Sequence, residues 1–431
     1  MKRKSRPAFC LALLLSATVS GCGTANPASS AAQSSRAASS RPASAAVSSA
    51  VPSSSPVSSL QGTEDVSGLS LEQKIGQMFF LCFRKDAGGA DIRTCGSAVR
   101  EVIRSIQPGG IVLFDENIHT VDQVRGLIRT MQAECSVPPF LGVDQEGGMV
   151  QRVRKTALIP AAAIPSMRSV AKTGSLSLAR SIGQVIGSEL TVFGFNLDFA
   201  PDCDVLTNPK NVSIGSRAFS GDPQKTAEFS AAVAGGIRSQ GIIPVCKHFP
   251  GQGGASADTH SGYAAVSRTL DQLQKTELVP FRAQIAAGAE MVMVGHISLP
   301  KITGGSTPAS LSPKVIEGLL RGELGFSGVV VTDALNMGAV AGHYSSGEAA
   351  VLAVKAGDDM LLMPADPQAA YNAVLSAVKS GAIPESRIDA SAAKILALKR
   401  KYDLFTKKQP GSESLLGCEE HREIVARVGA G

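Results

Sequence analysis

From residue 69 onward, short and nearly continuous apolar runs alternate with Ala- and Leu-rich stretches of helical length. Runs of that kind suit strands buried on both faces, which means a parallel sheet covered by helices. The runs fall at 78–82, 110–114, 140–143, 196–199, 244–247, 291–294, 329–332 and 359–362. Helix-forming stretches lie between them, among them 177–194, 226–240, 269–287 and 312–324. Eight strands joined by helical crossovers predict an α/β fold, a (β/α)8 TIM barrel forming a single catalytic domain over residues 69–405. An open doubly wound sheet would carry a Gly-rich phosphate loop after its first strand, and none is present there.

The first 68 residues cannot belong to that barrel. Residues 2–6 are basic, 9–19 form a short apolar stretch, and Val19-Ser20-Gly21-Cys22 follows. That order is read as a lipoprotein signal peptide over 1–21, with Cys22 as the lipidated first residue of the mature chain. More than one acyl chain on that cysteine gives stable anchoring, so a bacterial cell membrane, on its outward face, is the expected location. Residues 22–68 are Ser, Ala and Pro with few large apolar side chains, a composition too poor in apolar surface to offset chain entropy. They are read as a disordered tether with a reach on the order of 35–40 Å. Residues 406–431 are read as a C-terminal tail.

Charge separates the two regions. The chain carries 42 Lys+Arg and 36 Asp+Glu, a net charge of +6. Six of the basic residues (Lys2, Arg3, Lys4, Arg6, Arg36, Arg41) lie before the first acid, Glu64. The body of the protein is therefore formally neutral, which speaks against nucleic acid as a partner. The cysteines show no C-x-x-C pair, so neither a zinc site nor a disulfide framework is expected.

Chemistry on a (β/α)8 barrel sits at the C-terminal strand ends, and polar residues gather at the predicted ends. Asp144-Gln145-Glu146 follows the third strand, Asp202 and Asp204 the fourth. Lys247-His248 ends the fifth, Gly295-His296 follows the sixth and Asp333 the seventh. Asp198, by strand alternation, points away from this end and reads as structural. Residue types alone leave open that Arg217 and Lys247 are structural ion-pair partners of Asp202 or Asp204.

Five strings then carry a resemblance: Gly142-Val143-Asp144-Gln145-Glu146-Gly147-Gly148 with Val150-Gln151-Arg152; Asn196-Leu197-Asp198-Phe199-Ala200-Pro201; Gly215-Ser216-Arg217-Ala218-Phe219; Lys247-His248-Phe249-Pro250-Gly251; and Gly325-Phe326-Ser327-Gly328-Val329-Val330-Val331-Thr332-Asp333. In this order they resemble glycoside hydrolase family 3. The loop running on to Asp258-Thr259-His260 resembles the branch of bacterial β-N-acetylglucosaminidases that act on peptidoglycan fragments. The resemblance implies a retaining exo-acting glycosidase that removes terminal GlcNAc from muropeptides through a covalent glycosyl intermediate on Asp333. It implies His260 as acid/base with Asp258 as its partner, and sugar binding by Asp144, Arg152, Arg217, Lys247 and His248. No metal or cofactor is implied.

The chemistry is coherent. A retaining glycosidase needs a carboxylate on one face of the sugar and a proton donor at the leaving oxygen. A histidine can supply that proton near neutral pH, and an aspartate can fix its tautomer. Two other activities stay open at this stage. A histidine does not repel phosphate as a carboxylate would, which allows phosphorolysis. Gln252, where the family often has His, allows a catalytically impaired wall-binding lipoprotein.

Overall fold

A computed structural model of the chain describes residues 66–255, 264–406 and 409–429. The proposed signal peptide, Cys22, nearly all of the tether, and the Asp258/His260 pair lie outside the described residues.

The body is an eight-stranded parallel barrel. Its strands are β1 Phe79–Cys82, β2 Gly110–Val112, β3 Phe140–Val143, β4 Leu197–Asp198, β5 Ile243–Phe249, β6 Met291–Val294, β7 Val329–Thr332 and β8 Leu361–Leu362. Each pairs with its sequence neighbour, β8 returns to β1, and a Val331–Met360 bridge closes the ring between β7 and β8. All eight predicted strands are present. Those at 140–143, 291–294 and 329–332 match to the residue, while β4 and β8 are shorter than their apolar runs. Strand Ile243–Phe249 runs past its predicted run of 244–247, because His248 and Phe249 continue it.

The crossovers follow the same alternation. Leu176–Phe193 precedes β4, Pro223–Arg238 precedes β5, and Ser346–Ala356 precedes β8. Asp222 caps Pro223–Arg238 by accepting from the Lys225 amide, with Pro223 in the first turn. The stretch 269–287 divides into Leu270–Lys275 and Leu278–Ala286 at Thr276, whose backbone leaves helical geometry. The residues 412–429 fold back on the barrel wall: Leu416 and Val428 are buried, and His421 Nδ1 lies 3.0 Å from the buried Glu189.

Aromatic side chains fill the barrel beneath its mouth. The Phe80 and Phe199 rings meet at 5.2 Å between centroids. Gly142 on β3 makes room for them: a Cβ there would lie 2.8 Å from Phe199 and 3.0 Å from Phe80. These two rings form the floor on which the polar residues at the strand ends stand.

Candidate active site

The C-terminal strand ends open into a cavity of about 480 Å³, the size of pocket that holds a sugar. Asp144, Arg152, Arg217, Lys247, His248 and Asp333 all line it. Every described member of the predicted site is therefore in one place. Glu146, Gln252, Phe114 and Arg84 line it too.

A hairpin that the sequence reading did not resolve sets the β3 side. Gln145–Gly147 pairs antiparallel with Val150–Gln151. Gly147 and Gly148 both adopt positive φ in its turn, and a Cβ on Gly147 would lie 2.6 Å from the Pro165 carbonyl. The strands are too short for periodicity to reveal, but the Gly-Gly pair was a legible turn signal. The buried Asp198 accepts from the Gln145 amide at 2.9 Å, which confirms its structural reading and pins the hairpin to β4.

Glu146 is the hub of the site and was missed as a functional residue. Arg217 holds it with two parallel bonds, Nε to Oε2 and Nη2 to Oε1, both 2.8 Å. Lys247 Nζ lies 2.6 Å from Glu146 Oε1 and 2.7 Å from Asp144 Oδ1. Asp144 and Glu146 are two residues apart, and that spacing was the available signal for a shared face. Arg217 and Lys247 thus do form ion pairs, but chiefly with Glu146 and Asp144. Asp202 Oδ2 stands farther off, 3.6 Å from Arg217 Nε.

Burial opposes the charges of Glu146, Arg217 and Lys247, and opposite charge outweighs it. Arg217 and Lys247 hold the Glu146 carboxyl far below the usual range. Asp144 and Glu146 in turn hold Lys247 above the ordinary lysine value. The result is a rack of cross-linked donors and acceptors, with the charged forms of Glu146, Arg217 and Lys247 favoured, at the cavity. Hydroxyl groups are what such a rack can recognise without a net charge on the ligand.

His248 is neutral at physiological pH. Burial, then the charge of Arg217, pushes its pKa down to about 4. Its Nδ1 lies 2.8 Å from Asp204 Oδ2 and its Nε2 lies 3.4 Å from Arg217 Nη2. Because the guanidinium can only donate, Nε2 accepts and Nδ1 carries the proton toward Asp204. Asp204 Oδ1 accepts the Gln252 amide at 2.6 Å, which fixes the start of the loop that leads to 258–260. The position where Gln252 departs from the family pattern is therefore well anchored. Burial pushes both Asp202 and Asp204 up to about 7.

Asp202, Asp204 and His248 come close enough together to suggest a metal site. Their arrangement fits hydrogen bonding better. The His248 Nδ1 proton is directed at Asp204, and the Arg217 guanidinium already supplies positive charge beside Asp202 and His248.

Asp333 stands on the opposite side of the mouth, at the end of β7. Its Oδ1 accepts the Ala334 amide at 2.8 Å. Burial disfavours its charge, but the His296 and His248 rings, the Ala334 amide and Lys247 outweigh that and leave its pKa below the ordinary carboxyl value. His296 positions the turn. It is fully buried, its Nε2 lies 2.9 Å from the Ala334 carbonyl and its Nδ1 2.7 Å from Ser310 Oγ. The carbonyl can only accept, so Nε2 donates to it.

Arg152 is held loosely. Its guanidinium lies 3.4 Å from Asp115 and 3.8 Å from Asp144, and its buried Nε has no hydrogen-bond partner. It retains donors to spend on a ligand.

The profile of the Glycosyl hydrolase family 3 N terminal domain matches residues 70–398. A beta-hexosaminidase from Stenotrophomonas maltophilia strain K279a is 42% identical over 240 residues, 55% of this chain and 70% of that protein. Beta-hexosaminidase A from Pseudoalteromonas piscicida is 29% identical over 406 residues, 86% of this chain and 68% of that protein. Among solved structures, a glycoside hydrolase family 3 beta-N-acetylglucosaminidase from Paenibacillus sp. str. FPU-7 superposes with a TM-score of 0.78 at 36% identity. The match covers 84% of this chain and 68% of that one.

Proposed function

The chain belongs to glycosyl hydrolase family 3, and from that membership we propose that it is a retaining, exo-acting β-N-acetylglucosaminidase of peptidoglycan fragments. The observation that carries this reading is the pairing of two unlike walls across one cavity. On the β3–β5 side stand ionised, mutually neutralised groups that suit sugar hydroxyls; on the β7 side stands a single carboxylate kept ionised. The beta-hexosaminidase and beta-N-acetylglucosaminidase relatives support an N-acetylhexosamine at the non-reducing end.

In this mechanism Asp333 attacks the anomeric carbon. The C1–O bond breaks as the Asp333–C1 bond forms, and His260 gives its proton to the leaving oxygen. Water then attacks C1 while His260 takes back a proton, and the Asp333–C1 bond breaks with net retention. Asp258 orients His260. His296 keeps the Asp333 turn in place, and Arg217, Lys247, His248, Asp144 and Arg152 bind the sugar. A lipid on Cys22 and the tether over 22–68 would hold the barrel at the outer face of the membrane, within reach of wall fragments.

A substrate panel tests the reading. Purified wild type should release the aglycone from an aryl N-acetyl-β-glucosaminide and not from the matching glucoside. His260→Ala should slow natural substrates while sparing those with good leaving groups. Release of GlcNAc 1-phosphate whenever phosphate is present would replace hydrolysis with phosphorolysis. A folded wild type that turns over nothing would contradict an enzymatic role.

A further inference from the structure

We propose that the loops after β1 and β2 form a rigid wall, built by Arg84, Phe114 and Asp115, that blocks the cavity beyond the C4 hydroxyl of the bound sugar and so dictates exo action. The proposal rests on the N-acetylglucosaminidase reading and adds the residues that would set its mode of cleavage.

The geometry begins with strand order. In a closed ring of eight strands, β3 stands opposite β7. A pyranose with C1 at Asp333 on β7 therefore directs C4, the opposite ring atom, toward the β3 side. In a β-1,4-linked glycan the preceding sugar is attached at that C4 oxygen. Whether internal sugars can occupy the cavity depends on what lies there.

On that side Arg152, which follows β3, meets a compact set of stacked and paired groups from the neighbouring loops after β1 and β2. The Phe114 ring lies 4.8 Å from the Arg84 guanidinium and 5.4 Å from that of Arg152. Arg84 is also tied to Glu116. Asp115 draws in two cations, with Arg152 at 3.4 Å and Lys155 at 3.4 Å. Arg84, Phe114, Asp115 and Arg152 all line the cavity.

The wall is also locked from behind. Asn117 is fully buried and its side chain joins the two loops. Its Nδ2 donates to the Phe83 carbonyl at 2.6 Å and to the Ile92 carbonyl at 2.7 Å, and its Oδ1 accepts the Phe114 amide at 3.0 Å. Two of these bonds fix the β2 loop against the β1 loop, and the third shapes the β2 loop itself. Displacing Phe114 to admit another sugar would break that lock and the ion pairs in front of it. Each carboxylate in the wall, Asp115 and Glu116, is paired with a cation, so the wall carries no unpaired negative charge and excludes by shape rather than by repelling an anion.

The test uses Arg84→Ala/Phe114→Ala with an aryl N-acetyl-β-glucosaminide and its 4-O-methyl derivative. Arg84 is half exposed, and circular dichroism melting of the double variant checks its fold. Wild type should prefer the free 4-hydroxyl at least tenfold in kcat/KM, and the variant should lose most of that preference. On a β-1,4-linked N-acetylglucosamine tetramer, wild type should release only monosaccharide at early times, and the variant should also release disaccharide. A variant that keeps both the preference and the monosaccharide-only pattern would overturn the wall. If wild type turned over neither aryl glycoside, the hydrolase reading would fail by itself. The wall would then be read from calorimetric binding of N-acetylglucosamine and its 4-O-methyl ether. Tenfold discrimination by wild type that vanishes in the variant supports it, and equal binding of both by wild type overturns it.

Discussion

Two buried charge networks sit at opposite ends of the barrel, and they look alike until their surroundings are compared. At the C-terminal strand ends, Glu146 is gripped by Arg217 and Lys247. At the other end, just before β8, Asp359 is gripped by Arg321 at 2.7 Å and Lys394 at 3.2 Å, with Ser391 and the Val330 amide adding hydrogen bonds. In both, burial opposes the carboxylate and surrounding cations outweigh it. The first lines the cavity that also holds a separate carboxylate, Asp333, whereas Asp359, Arg321 and Lys394 are not among the residues lining that cavity. Ion-pair density by itself therefore does not mark a site. Position at the C-terminal strand ends, with donors turned toward open space, does.

The largest expected effect separates chemistry from both networks. Asp333→Asn should lower kcat/KM by about ten-thousand-fold or more, because it removes the proposed nucleophile. Its melting temperature should stay near that of wild type, since Asp333 belongs to neither network. A matching fall in both quantities would erase the distinction. Glu146→Gln should come next, at about a hundred-fold in kcat/KM, since Lys247 and Arg217 lose the anion that orients them. The loss should appear in KM as well as in kcat, measured with an aryl glycoside at fixed pH.

The smallest effect on turnover, and the largest on stability, belongs to the far network. Asp359→Asn should cost about 3–5 kcal/mol of unfolding free energy while kcat changes little. Denaturant melts across pH would sharpen this. The folded pKa of Asp359 is depressed, so its stabilisation is present above the ordinary carboxyl value and is lost as pH falls through the folded pKa. Asp202 and Asp204 run the other way. Their folded pKa values near 7 mean that the folded protein binds the extra protons, so their contribution to stability declines as pH rises from about 4 to 7. Asp204→Asn should flatten that decline.

Much of the fold was legible because burial on both faces writes strands as apolar runs, as at 291–294 and 329–332. The limits of that signal are as physical. Strand Ile243–Phe249 carries the polar Lys247 and His248 before its last residue, so its hydropathy falls before the strand stops and its end reads two residues early. The hairpin carrying Glu146 is two and three residues long, below any periodicity. The break at Thr276 had a signal that the reading of 269–287 as one helix passed over: Pro280 suits the first turn of a new helix and not the middle of a long one. For the site, motifs gave Asp144, Arg152, Arg217, Lys247, His248 and Asp333, whereas Glu146, which lines the cavity with them, and Asn117 act by holding other groups. Such roles depend on contacts between loops distant in sequence, 71 residues apart for Glu146 and Arg217.

The central claim is that Asp333 forms a covalent bond to the sugar. Mass spectrometry after brief exposure to an activated 5-fluoro N-acetylglucosaminide, which slows breakdown of such an intermediate, tests it directly. A single glycosyl adduct on the peptide containing Asp333 is the expected result. An adduct on another residue, or a product of inverted anomeric configuration from the unfluorinated substrate, would contradict it.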